Sequence, residues 1–154
     1  MKSLIIVSLV FSLCTAYLQA GSVQIPSQVK QQIKAAAAEK WNGNYEMQAF
    51  MIKNQSEAYQ EIMNWASENR TSEVAKGIFR AAQKKWPGNY EMQMFMVNTQ
   101  VEALMELARW LAESKNNSIL QEIIIAAQKK WPENYEMQVF TIKNQVDAYN
   151  QINK

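Results

Sequence analysis

Residue types that could bind a ligand return along this chain at one spacing. A tryptophan, a tyrosine and two glutamines recur every 45 residues. Aromatic faces with amides nearby are suited to sugars and peptides, because the rings stack while the amides hydrogen-bond. The candidate binding residues are Trp41, Tyr45, Gln48, Gln55, Trp86, Tyr90, Gln93, Gln100, Trp131, Tyr135, Gln138 and Gln145.

Each of these residues also has a structural interpretation. We expect the aromatic residues, together with Met47 and its equivalents, to pack one helix against another, and a ligand groove is the alternative. The glutamines lie seven apart on an otherwise apolar stripe. A buried amide without a partner costs about 1–3 kcal/mol. We therefore favour an amide network that sets the register between units, and a polar line along a binding surface is the alternative.

Acidic residues also recur, as Glu46, Glu91 and Glu136. They could serve as general acids in a cell-wall hydrolase, but glycoside cleavage needs two carboxyl groups about 5–10 Å apart in one cleft. Copies of one carboxylate on successive units do not offer that asymmetry. The chain has no histidine, one cysteine, no calcium-binding loop, no phosphate loop and no nucleophile elbow. We expect no enzyme activity, no metal and no cofactor.

These residues lie in a stretch of 27 residues that occurs three times. The copies are Ala36–Ile62, Ala81–Leu107 and Ala126–Ile152, and they are identical at 12 positions. A repeat of this length predicts one supersecondary element per unit, with an apolar face that is buried against its neighbours.

Each unit is predicted to be a helical hairpin. The short arms run from Pro26-Ser27 to Trp41, from about Ser72 to Trp86, and from Ser118 to Trp131, with apolar residues every three or four positions. Ser118 and Gln121 have the spacing of a capping box. A lysine directly before each tryptophan favours the negative end of a helix.

The turn between the two arms has its own signals. Pro87 and Pro132 cannot continue the preceding helix, and an asparagine, Asn44 in the first unit, is suited to N-cap the next arm. Glu133 replaces the glycine of the other two turns. If this turn position requires a positive φ, the backbone is strained at Glu133, because only glycine adopts that conformation without cost. Otherwise the position does not require a positive φ.

The long arm is predicted to run from Asn44 to Ala66 in the first unit. Tyr45 begins a core-facing stripe at a 3-4 spacing, and Phe50 is among the residues expected to widen it. Polar connectors, Ser67–Ser72 and Ser114–Ser118, are short enough to indicate units that pack together.

The sequence therefore predicts an all-α protein with three tandem helical hairpins. The predicted units are about 26–70, 71–115 and 116–154, within a helical repeat domain at 21–154. We favour a short stacked solenoid, and a closed six-helix bundle is the alternative.

The N-terminus, residues 1–20, reads as a signal peptide. Lys2 precedes the largely apolar run Leu4–Leu13, which is too short to span a membrane, and cleavage could follow Ala16 or Ala20. Either cleavage removes Cys14 and leaves no membrane span. We expect an exported protein, periplasmic or extracellular.

The charge balance argues against nucleic acid as a partner. The net charge is only +2, and basic and acidic residues are interspersed instead of forming a basic stripe. The main functional hypothesis is non-catalytic binding or scaffolding of another protein. A binder of a glycan or small molecule is the alternative, and a cell-wall hydrolase is the least supported.

The string W-P-x-N-Y-x-M-Q, followed by a phenylalanine and later by a pair such as Ala58–Tyr59, resembles a short helical module of uncharacterised bacterial proteins. That module typically has Asp where this chain has Asn. The resemblance covers the 27-residue core of each unit, with Leu104 in place of one tyrosine. It implies a bacterial exported protein and carries no activity.

Overall fold

The computed structural model describes residues 23–153, and these residues form helices without a β-strand. The predicted signal peptide lies outside the described residues. The six α-helices are α1 (Ser27–Lys40), α2 (Tyr45–Glu68), α3 (Glu73–Lys85), α4 (Tyr90–Glu113), α5 (Ser118–Lys130) and α6 (Tyr135–Ile152). A short 3-10 helix, Ser114–Asn116, precedes α5. The all-α class is confirmed. Within residues 23–153, no helix is both long and apolar enough to cross a bilayer.

The described chain divides into two compact units, residues 23–97 and 98–153. In the first, α1 packs against α2, and α2 also contacts α3. Its buried apolar residues lie at a helical spacing and are mostly small or branched: Ile33, Ala37, Ala58, Tyr59, Ile62, Ala75, Ile78, Ala82, Met94 and Val97. Full burial of a side chain such as Ile62 contributes about 1.5–3 kcal/mol.

The second unit, residues 98–153, has its own core. Here α5 packs against α6, and the buried cluster consists of Ala103, Leu107, Leu120, Ile124, Ala127, Val139 and Ile142. At its surface, Lys143 Nζ of α6 lies 2.9 Å from a carboxylate oxygen of Glu106 on α4. Arg109 contacts the same carboxylate at 3.0 Å.

Most helix starts carry side-chain caps. Asn44, Asn89 and Asn134 each accept a hydrogen bond from the N–H three residues later, as the sequence indicated. Ser72 caps α3 in the same way. The predicted Ser118–Gln121 capping box is wrong. Because the 3-10 helix turns the chain earlier, Asn117 is the cap of α5, and Gln121 instead donates to the Ser114 carbonyl at 2.7 Å.

Helix α2 differs from the predicted long arm in where it ends and in which residues are buried. Helix α2 continues to Glu68, two residues beyond the predicted end, and the connector is shortened to residues 69–72. Phe50 was expected on the core-facing stripe but is 58% exposed. The apolar stripe that reaches the core is therefore narrower than the sequence pattern suggested. At 3.6 residues per turn Phe50 lies on the side of α2 opposite Ile52.

The hairpin turns share one left-handed backbone position. Gly43 and Gly88 occupy it with φ of 77° and 73°, and Glu133 occupies it with φ of 62°. The turn position therefore does require a positive φ, and the third turn is strained because a non-glycine residue, Glu133, occupies it. A side chain in this conformation costs roughly 1–2 kcal/mol, because Cβ approaches the following carbonyl oxygen.

Replacing Glu133 with glycine should therefore raise the free energy of unfolding by about 1 kcal/mol. The matched control is Gly88→Ala. A Cβ at Gly88 would meet no atom within 4 Å. The free-energy change of Gly88→Ala therefore reports backbone strain alone, and this variant should be destabilised by about the same amount. Urea unfolding followed by circular dichroism measures both. A Glu133→Gly protein no more stable than its parent would contradict the strain.

Candidate site at the repeated turns

The first glutamine of each repeat closes its own hairpin. Its Nε2 donates to the carbonyl oxygen of the tryptophan that ends the short helix. The pairs are Gln48 with Trp41 at 2.9 Å, Gln93 with Trp86 at 2.8 Å, and Gln138 with Trp131 at 2.7 Å. The same carbonyl also accepts from the N–H of the capping asparagine. We call the glutamine–tryptophan contact the turn bond. It satisfies a carbonyl that has no partner inside the helix.

The second glutamine of a repeat joins one hairpin to the next. In residues 23–97, Gln55 Oε1 accepts from the backbone N–H of Tyr90 at 2.8 Å. In residues 98–153, Gln100 Oε1 accepts from the N–H of Tyr135 at 2.9 Å. We call this contact the inter-hairpin bond. It caps the first residue of the following long helix, whose N–H has no partner within that helix.

Gln55 makes two further hydrogen bonds. Its Nε2 donates to Asn89 Oδ1 at 3.1 Å and to Glu91 Oε2 at 2.7 Å. The side chain is buried, so its amide hydrogens and its oxygen are engaged inside the protein. A ligand would have to displace these bonds in order to use the amide.

The third repeat departs from this pattern at both glutamines. Gln138 is buried and makes its turn bond, but its Oε1 has no hydrogen-bond partner. Gln145, the equivalent of Gln55 and Gln100, is exposed. The structure thus places five of the six glutamines in contacts with turn backbone and leaves Gln145 at the surface.

The three tryptophans at the turns are half-buried. The lysine before each one extends over its ring, with Nζ 5.6 Å from the centroid at Trp41, 5.7 Å at Trp86 and 5.3 Å at Trp131. A cation in this position is attracted by about 0.5–1 kcal/mol at an exposed site. The lysines thus have a role beyond the helix dipole, and they cover ring faces that a ligand would need.

The tyrosines divide by position in the chain. Tyr45 is 80% exposed, whereas Tyr90 and Tyr135 are half-buried. The expectation that Tyr45 faces the core is wrong, because no long helix precedes it among residues 23–153. Tyr90 meets Tyr59 edge to face, with ring centroids 5.0 Å apart.

The two half-buried tyrosines have altered acidity. Burial raises the pKa of the Tyr90 hydroxyl, and the neighbouring Tyr59 adds to the effect. Burial also raises the pKa of Tyr135, with a further contribution from the Glu133 carboxylate. Both side chains therefore stay neutral to higher pH in the folded chain than an exposed tyrosine does.

A shallow groove lies beside Gln55 in residues 23–97. It has a volume of about 520 Å³ and is lined by Gln32, Ile33, Met51, Gln55, Pro87 and Tyr90 among others. Its lining offers no charged side chain, and Gln55 is already committed to the turn of the second repeat. The groove can accept apolar atoms but has few free polar groups to orient a ligand.

The glutamates in the repeated turns are separate and exposed. Glu46, Glu91 and Glu136 each lie in the first turn of a long helix. There they complement the positive end of the helix dipole. Within residues 23–153 no three Asp, Glu, His or Cys side chains cluster closely enough to hold a metal ion.

The structure also reveals a repeated surface that periodicity did not identify. Phe50, Phe95 and Phe140 occupy the same position of the three long helices and are 58%, 64% and 57% exposed. A half-buried methionine, such as Met47, lies three residues before each one. The identity of Phe in all three copies was visible in the sequence, but on an apolar stripe it indicated core packing.

Comparisons of this chain with protein-family models, with curated proteins and with solved structures found no match. The resemblance to the bacterial helical module therefore stays a prediction.

The inter-hairpin bond should be measurable as stability. Gln55→Leu or Gln100→Leu keeps the apolar stem but leaves a tyrosine N–H without its partner, so each should lower the free energy of unfolding by about 1–3 kcal/mol. Gln83 is exposed on α3 and serves as the control. Gln83→Leu should change the free energy of unfolding by less than about 0.5 kcal/mol. Equal urea midpoints for the three variants would show that the bond contributes nothing.

The raised tyrosine pKa values predict alkaline sensitivity. An unfolded tyrosine ionises near pH 10, whereas burial raises the pKa of Tyr90 and of Tyr135 above that value in the folded protein. The stability that this difference provides is present below about pH 10 and is lost as the pH rises further. The double variant Tyr90→Phe/Tyr135→Phe should therefore lose less unfolding free energy than the parent between about pH 9 and 11. Denaturant titrations at each pH test this, and parallel losses would count against it.

Proposed function

We propose that this chain is an exported, non-catalytic helical repeat protein that binds another protein. Export is supported by the N-terminal sequence alone, with its basic residue, apolar run and small residues before the two cleavage points. Binding is supported by the repeated surface of Phe50, Phe95 and Phe140. We call this set the phenylalanine surface.

The observation that carries the proposal is the exposure of an identical phenylalanine in every repeat. Phenylalanine is among the residues most often buried. Repeat proteins bind their partners through residues that recur at the surface of successive units. More than half of each side chain faces solvent, so most of its apolar area is accessible to a partner. The half-buried methionines add flexible, polarizable contacts, which suit a peptide or protein surface.

The glycan or small-molecule alternative has less support. It would use the tryptophan faces and the glutamine line. A lysine ammonium already lies over one face of each turn tryptophan, and most of the glutamine amides bond to turn backbone. The hydrolase alternative would need two converging carboxyl groups, and the three repeated glutamates lie singly at helix starts.

A capture experiment tests the phenylalanine surface. The immobilised protein is exposed to the envelope or secreted fraction of its native cell, and bound proteins are identified by mass spectrometry. We expect a partner that the parent retains and the triple variant Phe50→Ser/Phe95→Ser/Phe140→Ser loses, because most of the apolar contact area is removed. Serine has a helix propensity close to that of phenylalanine, so the helices should persist.

The matched control is Ile125→Ser, which removes a 63% exposed apolar side chain of α5 that has no equivalent in the other repeats. This variant should retain the partner. Circular dichroism and urea unfolding establish that all variants remain folded. A partner retained equally by the triple variant would overturn the proposal, as would hydrolysis of cell-wall glycan by the parent protein.

A further inference from the structure

The first and third repeats carry matching exposed surfaces. Inside the chain, the second glutamine of a long helix is buried against the next turn, as at Gln55 and Gln100, whereas Gln145 is exposed. Conversely, the tyrosine that receives this contact is half-buried at Tyr90 and Tyr135 but 80% exposed at Tyr45. Among residues 23–153, the face of α6 that carries Gln145 and the first turn that carries Tyr45 are therefore both exposed. We call them the α6 face and the receiving face.

The open face on α6 is built like the covered face on α2. The covered residues are Gln55, Ala58, Tyr59 and Ile62, and all four are buried. Their equivalents on α6 are Gln145, Ala148, Tyr149 and Ile152, identical in type at every position and all exposed. The second repeat differs here, with leucines at 104 and 107. The third repeat therefore reproduces the binding face of the first more closely than the second does.

The receiving face is also reproduced. In the second repeat the residues that contact Gln55 and Tyr59 are Asn89, Tyr90 and Glu91. The first repeat has the same three types, as Asn44, Tyr45 and Glu46, and all three are exposed.

The exposed face of α6 keeps the apolar residues of an interface. Apolar residues that are exposed together on one helix face promote association, unless polar residues replace them. Here Tyr149 is 40% exposed and Ile152 is 80% exposed, and neither is replaced by a polar residue.

We propose that the α6 face of one molecule binds the first turn of a second molecule of this chain. The contact continues the interface already made within residues 23–97. Gln145 Oε1 accepts from the Tyr45 N–H of the second molecule, and Gln145 Nε2 donates to Asn44 and Glu46. Tyr149 packs against the Tyr45 ring, as Tyr59 packs against Tyr90.

The proposed contact is heterologous, because it joins two different faces. Such contacts build chains or rings and not closed two-fold dimers. The proposed contact joins separate molecules, so the association should depend on protein concentration.

Complementary variants provide the test. Tyr149→Asp disables the α6 face and Tyr45→Asp disables the receiving face, because each exchanges an aromatic contact for a charge that would be desolvated. Both positions are exposed, so the fold should persist, and circular dichroism checks this. Analytical ultracentrifugation of protein expressed from the full sequence measures the mass.

We expect the mass of the parent protein to rise with concentration, and each variant alone to associate about tenfold or more weakly. An equimolar mixture of the two variants should restore association but stop at a dimer, since it contains one intact pair of faces. A parent protein that stays at the mass of one molecule up to about 1 mM would overturn the proposal. So would a single variant that associates like the parent, or a mixture that does not associate.

This test is separate from that of the phenylalanine surface. The Phe50→Ser/Phe95→Ser/Phe140→Ser protein should associate with itself as the parent does, because none of the three residues belongs to either open face. Loss of self-association in that variant would place the contact elsewhere and overturn the assignment to α6 and the first turn.

Discussion

The structure depends on pairing the backbone groups at its helix ends. A helix end leaves N–H and C=O groups without partners, and burying such groups between packed helices is costly. Each hairpin turn here joins two such ends, one after the tryptophan and one before the tyrosine. The turn bond pairs a carbonyl at the first end, and the inter-hairpin bond pairs an N–H at the second. Glutamine suits both roles because its amide both donates and accepts.

Much of this arrangement follows from the sequence. The 45-residue spacing, the tryptophan before the turn and the asparagine after it specify where each helix ends and the next begins. Asn44 and Asn134 cap their helices because a short side-chain oxygen reaches the N–H three residues on. In the first short helix, the three-or-four spacing of apolar residues includes Ile33 and Ala37, and both are buried. These features are local, so a single chain segment determines them.

What the sequence left open depends on contacts between segments. Gln48 and Gln55 share one residue type and one helix face, yet one binds within its hairpin and the other binds the next. Phe50 was expected to widen the core stripe, but at 3.6 residues per turn it lies on the side of α2 opposite Gln48 and Gln55, and it is exposed. Glu133 could have relaxed to another turn type. The cap, the turn bond and the following helix together hold it at positive φ.

The last turns of α6 have a consequence for the order in which the helices open. Tyr149 and Ile152 are exposed there, whereas their equivalents on α2, Tyr59 and Ile62, are buried. Local opening free energies are lowest where buried contacts are sparse. Amide hydrogens of α6 near Tyr149 should therefore exchange with solvent before those of α2 near Tyr59. Any molecule bound to the last turns of α6 would slow that exchange.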